Sequence, residues 1–222
     1  MGDCFKSTGK IIKEERIAGD IKVIELNDNI NLIITQDTAN KITVEAGEHL
    51  LPLIITEMKN DTLVIKNNNR CNWVRSYKKE INVHLTVKDL ARITSYGSGD
   101  ITSTDTLTNN FFMLEMWGAS SADLTINANN SYFKIHSGSG DITVKGFSNS
   151  NYIYLRGNGW MWCDSLFTNY TEVNSLGTGD CYVNVSQVFN VSIHYIGNVY
   201  YSGDPLSIIY KDTSGTGKLI RQ

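Results

Sequence analysis

The sequence predicts an all-β protein, most of it a right-handed parallel β-solenoid of coils about 20 residues long, led in by a β region that packs on or caps it. Three observations carry that reading. A Gly-x-Gly corner returns at a nearly constant interval through the second half of the chain. Apolar residues alternate with polar ones, the period of a half-buried strand. The 222 residues include 23 Asn, 19 Ser, 19 Thr and 18 Gly but only two Pro. That composition suits turns and disfavours helix interiors.

The chain changes character near residue 95. Residues 1–100 hold 28 of the 43 charged residues, whereas 18 of the 22 aromatic residues lie after residue 100. The expected organisation is a tail over 1–15, a β region over 16–94 and the solenoid over 95–222. In the β region Ile30, Leu32 and Ile34, then Ile42, Val44 and Ala46, then Ile81, Val83, Leu85 and Val87 alternate with polar neighbours. Lys59-Asn60-Asp61-Thr62 reads as a hairpin turn between two such runs.

The repeat is explicit in the second region. Gly97-Ser98-Gly99-Asp100-Ile101, Gly138-Ser139-Gly140-Asp141-Ile142 and Gly177-Thr178-Gly179-Asp180-Cys181 are its clearest copies. With weaker copies at 118, 157, 197 and 215, the lead glycines stand 21, 20, 19, 20, 20 and 18 residues apart. A fixed period of that length marks stacked coils that share one core. Glycine fits the corner because it takes positive φ without steric cost, and right-handed coiling follows the usual chirality of parallel crossovers. Aligning the copies puts Ile101, Leu124, Ile142, Met161, Cys181, Tyr201 and Leu219 in one inward column. Cys163 and Cys181 then fall in different columns, so no disulfide is expected between them.

Several function classes drop out. With 19% charged residues and a net charge of −3, binding nucleic acid by bulk charge is not expected. No apolar run approaches the roughly 20 residues of a membrane helix. Cys4, Cys71, Cys163 and Cys181 have no CxxC spacing, and His49, His84, His136 and His194 are dispersed. No metal site and no cofactor are therefore expected.

Two side-chain patterns remain. Asp100, Asp123, Asp141 and Asp180 suggest a carboxylate ladder, for calcium or for paired acid and base work. The plainer reading is aspartates serving turns. The sharper pattern is a candidate ligand-binding strip of Trp117, Trp160, Trp162, Tyr182 and Tyr200. Trp160 and Trp162 alternate with Met161 and Cys163, so both indoles point outward. Tyr182 lies one coil on from Trp162, Trp160 aligns with Asp180, and Tyr200 is expected one coil beyond Asp180. Exposed Trp and Tyr on a rigid face anchor protein partners, and their rings also stack on sugars. The competing reading is a ladder covered by a loop, by the first region or by a second copy.

The Gly-x-Gly-Asp-Ile corners, the run Asp89-Leu90-Ala91-Arg92-Ile93, the segment Asn31-Leu32-Ile33-Ile34-Thr35-Gln36, then Val44-Glu45-Ala46 and Leu50-Leu51-Pro52 resemble the auto-transporter adhesin, head GIN domain family. The resemblance spans about residues 15–220. It implies an exported β-solenoid of the Gram-negative envelope, in the periplasm or at the outer-membrane surface and often a lipoprotein. It implies no catalytic residues. Cys4 is the candidate lipid anchor, although Asp3 stands where a lipidation signal has a small residue. The expected function is a non-enzymatic, adhesin-like envelope protein that binds a glycan or a surface protein, with membrane contact only through that anchor. The alternatives are a polysaccharide lyase or hydrolase, for which Asp141, Asp180 and Arg156 are the candidates, and a purely structural envelope module. A solenoid also needs its ends protected. The first region is expected to cap one end. The other is expected to be blunted by Lys211, Lys218 and Arg221 or used in a homo-oligomer.

Overall fold

The computed structural model describes residues 8–69, 80–212 and 214–222. Sixteen strands and one 3-10 turn (Leu51–Leu53) make up its regular structure, with no α-helix among the described residues. The first eight strands are β1 (Ile11–Arg16), β2 (Val23–Leu26), β3 (Asn31–Gln36), β4 (Lys41–Gly47), β5 (Ile54–Lys59), β6 (Thr62–Asn67), β7 (Asn82–Val87) and β8 (Arg92–Ser95). In β2, β3 and β7 buried and half-buried residues alternate with the sequence period. The expected hairpin is present. Lys59 pairs with Thr62 across an antiparallel β5–β6 ladder, and Asn60 takes the left-handed φ of +59° that Asn tolerates. β1, β4 and β7 are likewise antiparallel neighbours.

The solenoid follows as β9 (Ile101–Met116), β10 (Ala122–Ile135), β11 (Ile142–Leu155), β12 (Met161–Ser175), β13 (Cys181–Ile193), β14 (Val199–Ser202), β15 (Ser207–Asp212) and β16 (Leu219–Arg221). These strands stack in parallel, about six turns spaced about 20 residues apart. The first part of β9 pairs with β3 and its last part with β8. The two regions therefore share one sheet, and one apolar core runs from Ile21 to Val199. Along that core Phe112 and Phe133 are fully buried, with ring centroids 6.2 Å apart.

Each coil turns at two corners. At the Gly-x-Gly corner the coils approach backbone to backbone, and a Cβ on Gly159 would lie 1.9 Å from the carbonyl oxygen of Gly140. At the Asn/Ser corner the strand runs on through the bend, and the register shifts between neighbouring coils lie mostly just ahead of it, as between Thr143 and Gly146. Small hydroxyls line the inside of this bend. Ser131 and Ser148 are fully buried and bonded Oγ to Oγ at 2.8 Å.

The observed inward column corrects the sequence alignment at two places. It reads Ile101, Ala122, Ile142, Met161, Cys181, Val199 and Leu219. Ala122 stands where Leu124 was expected, and Val199 where Tyr201 was. Corner length explains both. Five residues separate Met116 from Ala122, and five separate Ile193 from Val199. Gly197 is thus the second glycine of its corner, stacked on Gly179, and Tyr195 takes the place of the first.

Cys163 pairs with Val183, and Cys181 with Met161. Both thiols are free and buried, and burial pushes both pKa values up. They act as small core groups. Cys4 and Cys71 lie outside the described residues. At the far end, Lys211 pairs with Glu172 at 2.8 Å and Arg221 with Asp204.

Candidate functional site

The outward residues just after the Gly-x-Gly corner form the site. In register with one another stand Thr102, Asp123, Thr143, Trp162, Tyr182, Tyr200 and Ile220. The parallel strands hold successive members of this column one strand spacing apart, about 4.8 Å. Flat rings at that spacing stack. The centroids of Trp162 and Tyr182 are 4.5 Å apart with a 12° interplanar angle, and those of Tyr182 and Tyr200 are 4.6 Å apart at 5°. Tyr200 therefore lies one coil beyond Tyr182. The position one coil beyond Asp180 belongs to Asn198, whose backbone N–H donates to Asp180 Oδ1 at 2.7 Å. The two-residue correction at Val199 causes this change, and it places Tyr200 in the stack.

Trp160 joins the ladder from the side. Its centroid is 5.1 Å from Trp162 and 6.3 Å from Tyr182. These distances place it beside the pair, because a continuation of the column would put it much farther from Tyr182. It leans toward the following coil, where a Cβ on Gly179 would meet its Cδ1 at 3.2 Å.

Because the four planes are nearly parallel to one another along the stack, ring faces point along the solenoid axis and ring edges point outward. Among the described residues no hydrogen bond engages the indole N–H of Trp160 or Trp162, or the hydroxyl of Tyr182 or Tyr200. Burial, with Asp180, Tyr200 and Asp164 nearby, pushes the Tyr182 phenol pKa up. Its hydroxyl stays protonated at neutral pH and can donate. The ladder is thus an apolar ridge edged with polar groups that have no hydrogen-bond partner among the described residues.

Trp117 belongs elsewhere. It lies just before its Gly-x-Gly corner, whereas Trp160 lies just after its own, so the corner separates them. Its ring partners are Tyr96 at 6.5 Å and His136 at 3.9 Å and 5°. The sequence strip therefore divides into a four-ring ladder and a second cluster on the other flank. The sequence strip includes neither Tyr96 nor His136, and His136 is weighed there only as a metal ligand. Their signal was a shared position directly after the buried column of Ser95, Met116 and Ile135.

Glu115 underlies that second cluster. It bonds His136 Nε2 at 3.3 Å and Lys134 Nζ at 3.4 Å. Burial raises its pKa, but the His136 hydrogen bond and the Lys134 charge outweigh burial, and the net shift is downward. A depressed carboxylate adds stability above its unfolded pKa, and that stability is lost as pH falls through the folded value. The expected result is a melting temperature that falls more steeply below about pH 4 in the native chain than in Glu115→Gln, checked by thermal melts from pH 3 to 7.

The aspartates do not form a carboxylate ladder. Asp123 lies outside their column, because Ala122 and not Leu124 follows the corner; it pairs with Lys145 at 3.3 Å. Asp141 Oδ1 accepts the Trp160 backbone N–H at 2.8 Å, and Asp180 Oδ1 accepts that of Asn198. Each of these side chains accepts a backbone N–H of the next coil. Asp141 and Asp180 are separated by the coil of Trp160, and Arg156 lies on the opposite flank, stacked in register after His136.

A family model described as "Putative auto-transporter adhesin, head GIN domain" matches residues 20–205. The chain belongs to this family. Solved structures similar to this head GIN chain include a "putative adhesin" from Bacteroides fragilis, 22% identical over 96% of this chain and 97% of that one, with a TM-score of 0.89. Another "putative adhesin", from Parabacteroides distasonis, is 18% identical over 96% and 98%, with a TM-score of 0.71. A "putative lipid binding protein" from the same species is 19% identical over 97% and 98%, with a TM-score of 0.72. At these identities the likeness speaks for the fold. No curated protein is significantly similar to the chain.

Proposed function

We propose that the chain is a non-enzymatic, adhesin-like module exported to the cell envelope, binding a glycan or a surface protein through the Trp160–Trp162–Tyr182–Tyr200 ladder. The supporting observation is the ladder itself: four rings fixed by the coil spacing, with unpartnered polar tips on an outward face. A rigid aromatic ridge loses little conformational entropy on binding, and Trp and Tyr carry much of the energy of known contact sites. The family description favours a surface or exported protein. The engagement of Asp141 and Asp180 with backbone N–H groups favours a binding role over a lyase or hydrolase.

The test is retention of the purified chain on immobilised envelope polysaccharides and surface glycoproteins, with the eluate examined for released oligosaccharide. Saturable retention without release is the expected result. Release of oligosaccharide would establish an enzyme instead. Absence of retention on every surface would leave a structural module.

A further inference from the structure

The ladder has an open end. In the column of Trp162, Tyr182 and Tyr200, the residue one coil earlier is Thr143, far shorter than an indole. Tyr182 covers one face of Trp162 at 4.5 Å. The opposite face looks over Thr143. Trp160 does not cover it, since that ring lies beside the stack and leans the other way, toward Gly179. In front of the open face is a polar shelf. Thr143 pairs in register with Asp123, and Asp123 bonds Lys145 at 3.3 Å, both side chains about half exposed. Asp164 is exposed two residues past Trp162, where the ladder between β11 and β12 slips after Thr143.

We propose that this step is a subsite for one neutral pyranose ring. The sugar lays its C–H face on the open face of Trp162, and its hydroxyls bond Thr143 Oγ1 and the Asp123–Lys145 pair. The chemistry favours a sugar over other ligands. An apolar ring face beside donors and acceptors of both signs matches a ring with one C–H face and a hydroxyl rim. Lys145 and Asp123 offset each other, so the shelf has no surplus of positive charge for an anionic ligand. This subsite rests on the ladder as the contact face and names the ligand class for its end.

The experiment titrates the full chain with oligosaccharides of glucose, galactose, mannose and N-acetylglucosamine, read by saturation-transfer NMR. The key variant is Thr143→Trp, which fills the step, extends the ladder and removes none of its four rings. At least one oligosaccharide is expected to saturate the native chain, with binding at least tenfold weaker in Thr143→Trp at an unlowered melting temperature. Thr143→Val keeps the step open but removes the hydroxyl, and is expected to weaken binding about fivefold, less than Thr143→Trp. Equal binding by Thr143→Trp would overturn the subsite and leave the ladder reading standing. No binding of any of the four to the native chain would also overturn it, while retention on glycoproteins would separately preserve the ladder as the contact face.

Discussion

Gly138→Ala is expected to destabilise the chain by about 4 kcal/mol, lowering its melting temperature by roughly 10 °C. Two independent effects combine there. Gly138 takes φ +90°, a conformation that costs an L-residue about 1–2 kcal/mol. A Cβ at that position would also stand 1.7 Å from the carbonyl oxygen of Gly118, which a flexible side chain cannot relieve. The cause lies in the sequence. Six residues separate Ile135 from Ile142, one more than at the corner between Met116 and Ala122, and Gly138 absorbs the extra residue. Gly19→Ala is the control. Its φ is ordinary and its Cβ would meet only the flexible end of Met58, so the change is expected to fall within about 1 kcal/mol of neutral. Paired thermal melts of the two variants check both statements. Equal stability of Gly138→Ala and the native chain would contradict the corner stacking.

The second large effect is functional. Trp162→Ala combined with Tyr182→Ala removes the middle of the ladder and is expected to weaken surface retention ten- to a hundredfold, the loss typical of truncating contact anchors. Both positions are half-buried and point outward, so the inner core of Met161, Cys163, Cys181 and Val183 stays packed. The double variant removes four ring contacts, those of Trp162 and Tyr182 with each other and with Trp160 and Tyr200, and the lost stacking is expected to cost about 2–6 kcal/mol of stability. Trp117→Ala, on the other flank, is expected to leave retention within a fewfold of native. Circular dichroism of each variant separates lost binding from lost folding.

The fold was legible because the repeat is written in the corners. Backbone stacks on backbone there, so glycine recurs at Gly97, Gly118, Gly138, Gly157 and Gly177, and its interval reports the coil length directly. Register was harder to read. Asp123-Leu124 imitates the Asp-Ile of other corners, but the count of residues from Met116 puts Ala122 inside. Gly197 imitates a lead glycine, but packing on Gly179 makes it the second. Each confusion displaced a neighbour by two residues, which keeps the same face and so leaves the alternation unchanged. That is why Tyr200 was expected beyond Asp180 and stands beyond Tyr182.

The site was legible as a set of outward aromatics, and its geometry was not. Sequence alternation says that Trp162 and Tyr182 point out. It does not say that rings held at the strand spacing turn their faces to each other and their edges to solvent. Trp117 shows the same limit, since position relative to the corner, rather than distance in coils, decided its neighbours. The aspartates show another. Asp141 and Asp180 recur because a corner carboxylate accepts a backbone N–H of the next coil, an interaction visible only once the coils are stacked.

The most direct test of the ladder as the contact face is the indole N–H spectrum of the ¹⁵N-labelled chain as a retained polysaccharide or glycoprotein is added. The account predicts that the resonances of Trp160 and Trp162 shift together and saturably, while that of Trp117 stays in place. A saturable shift confined to Trp117, or binding with no shift at Trp160 and Trp162, would contradict it.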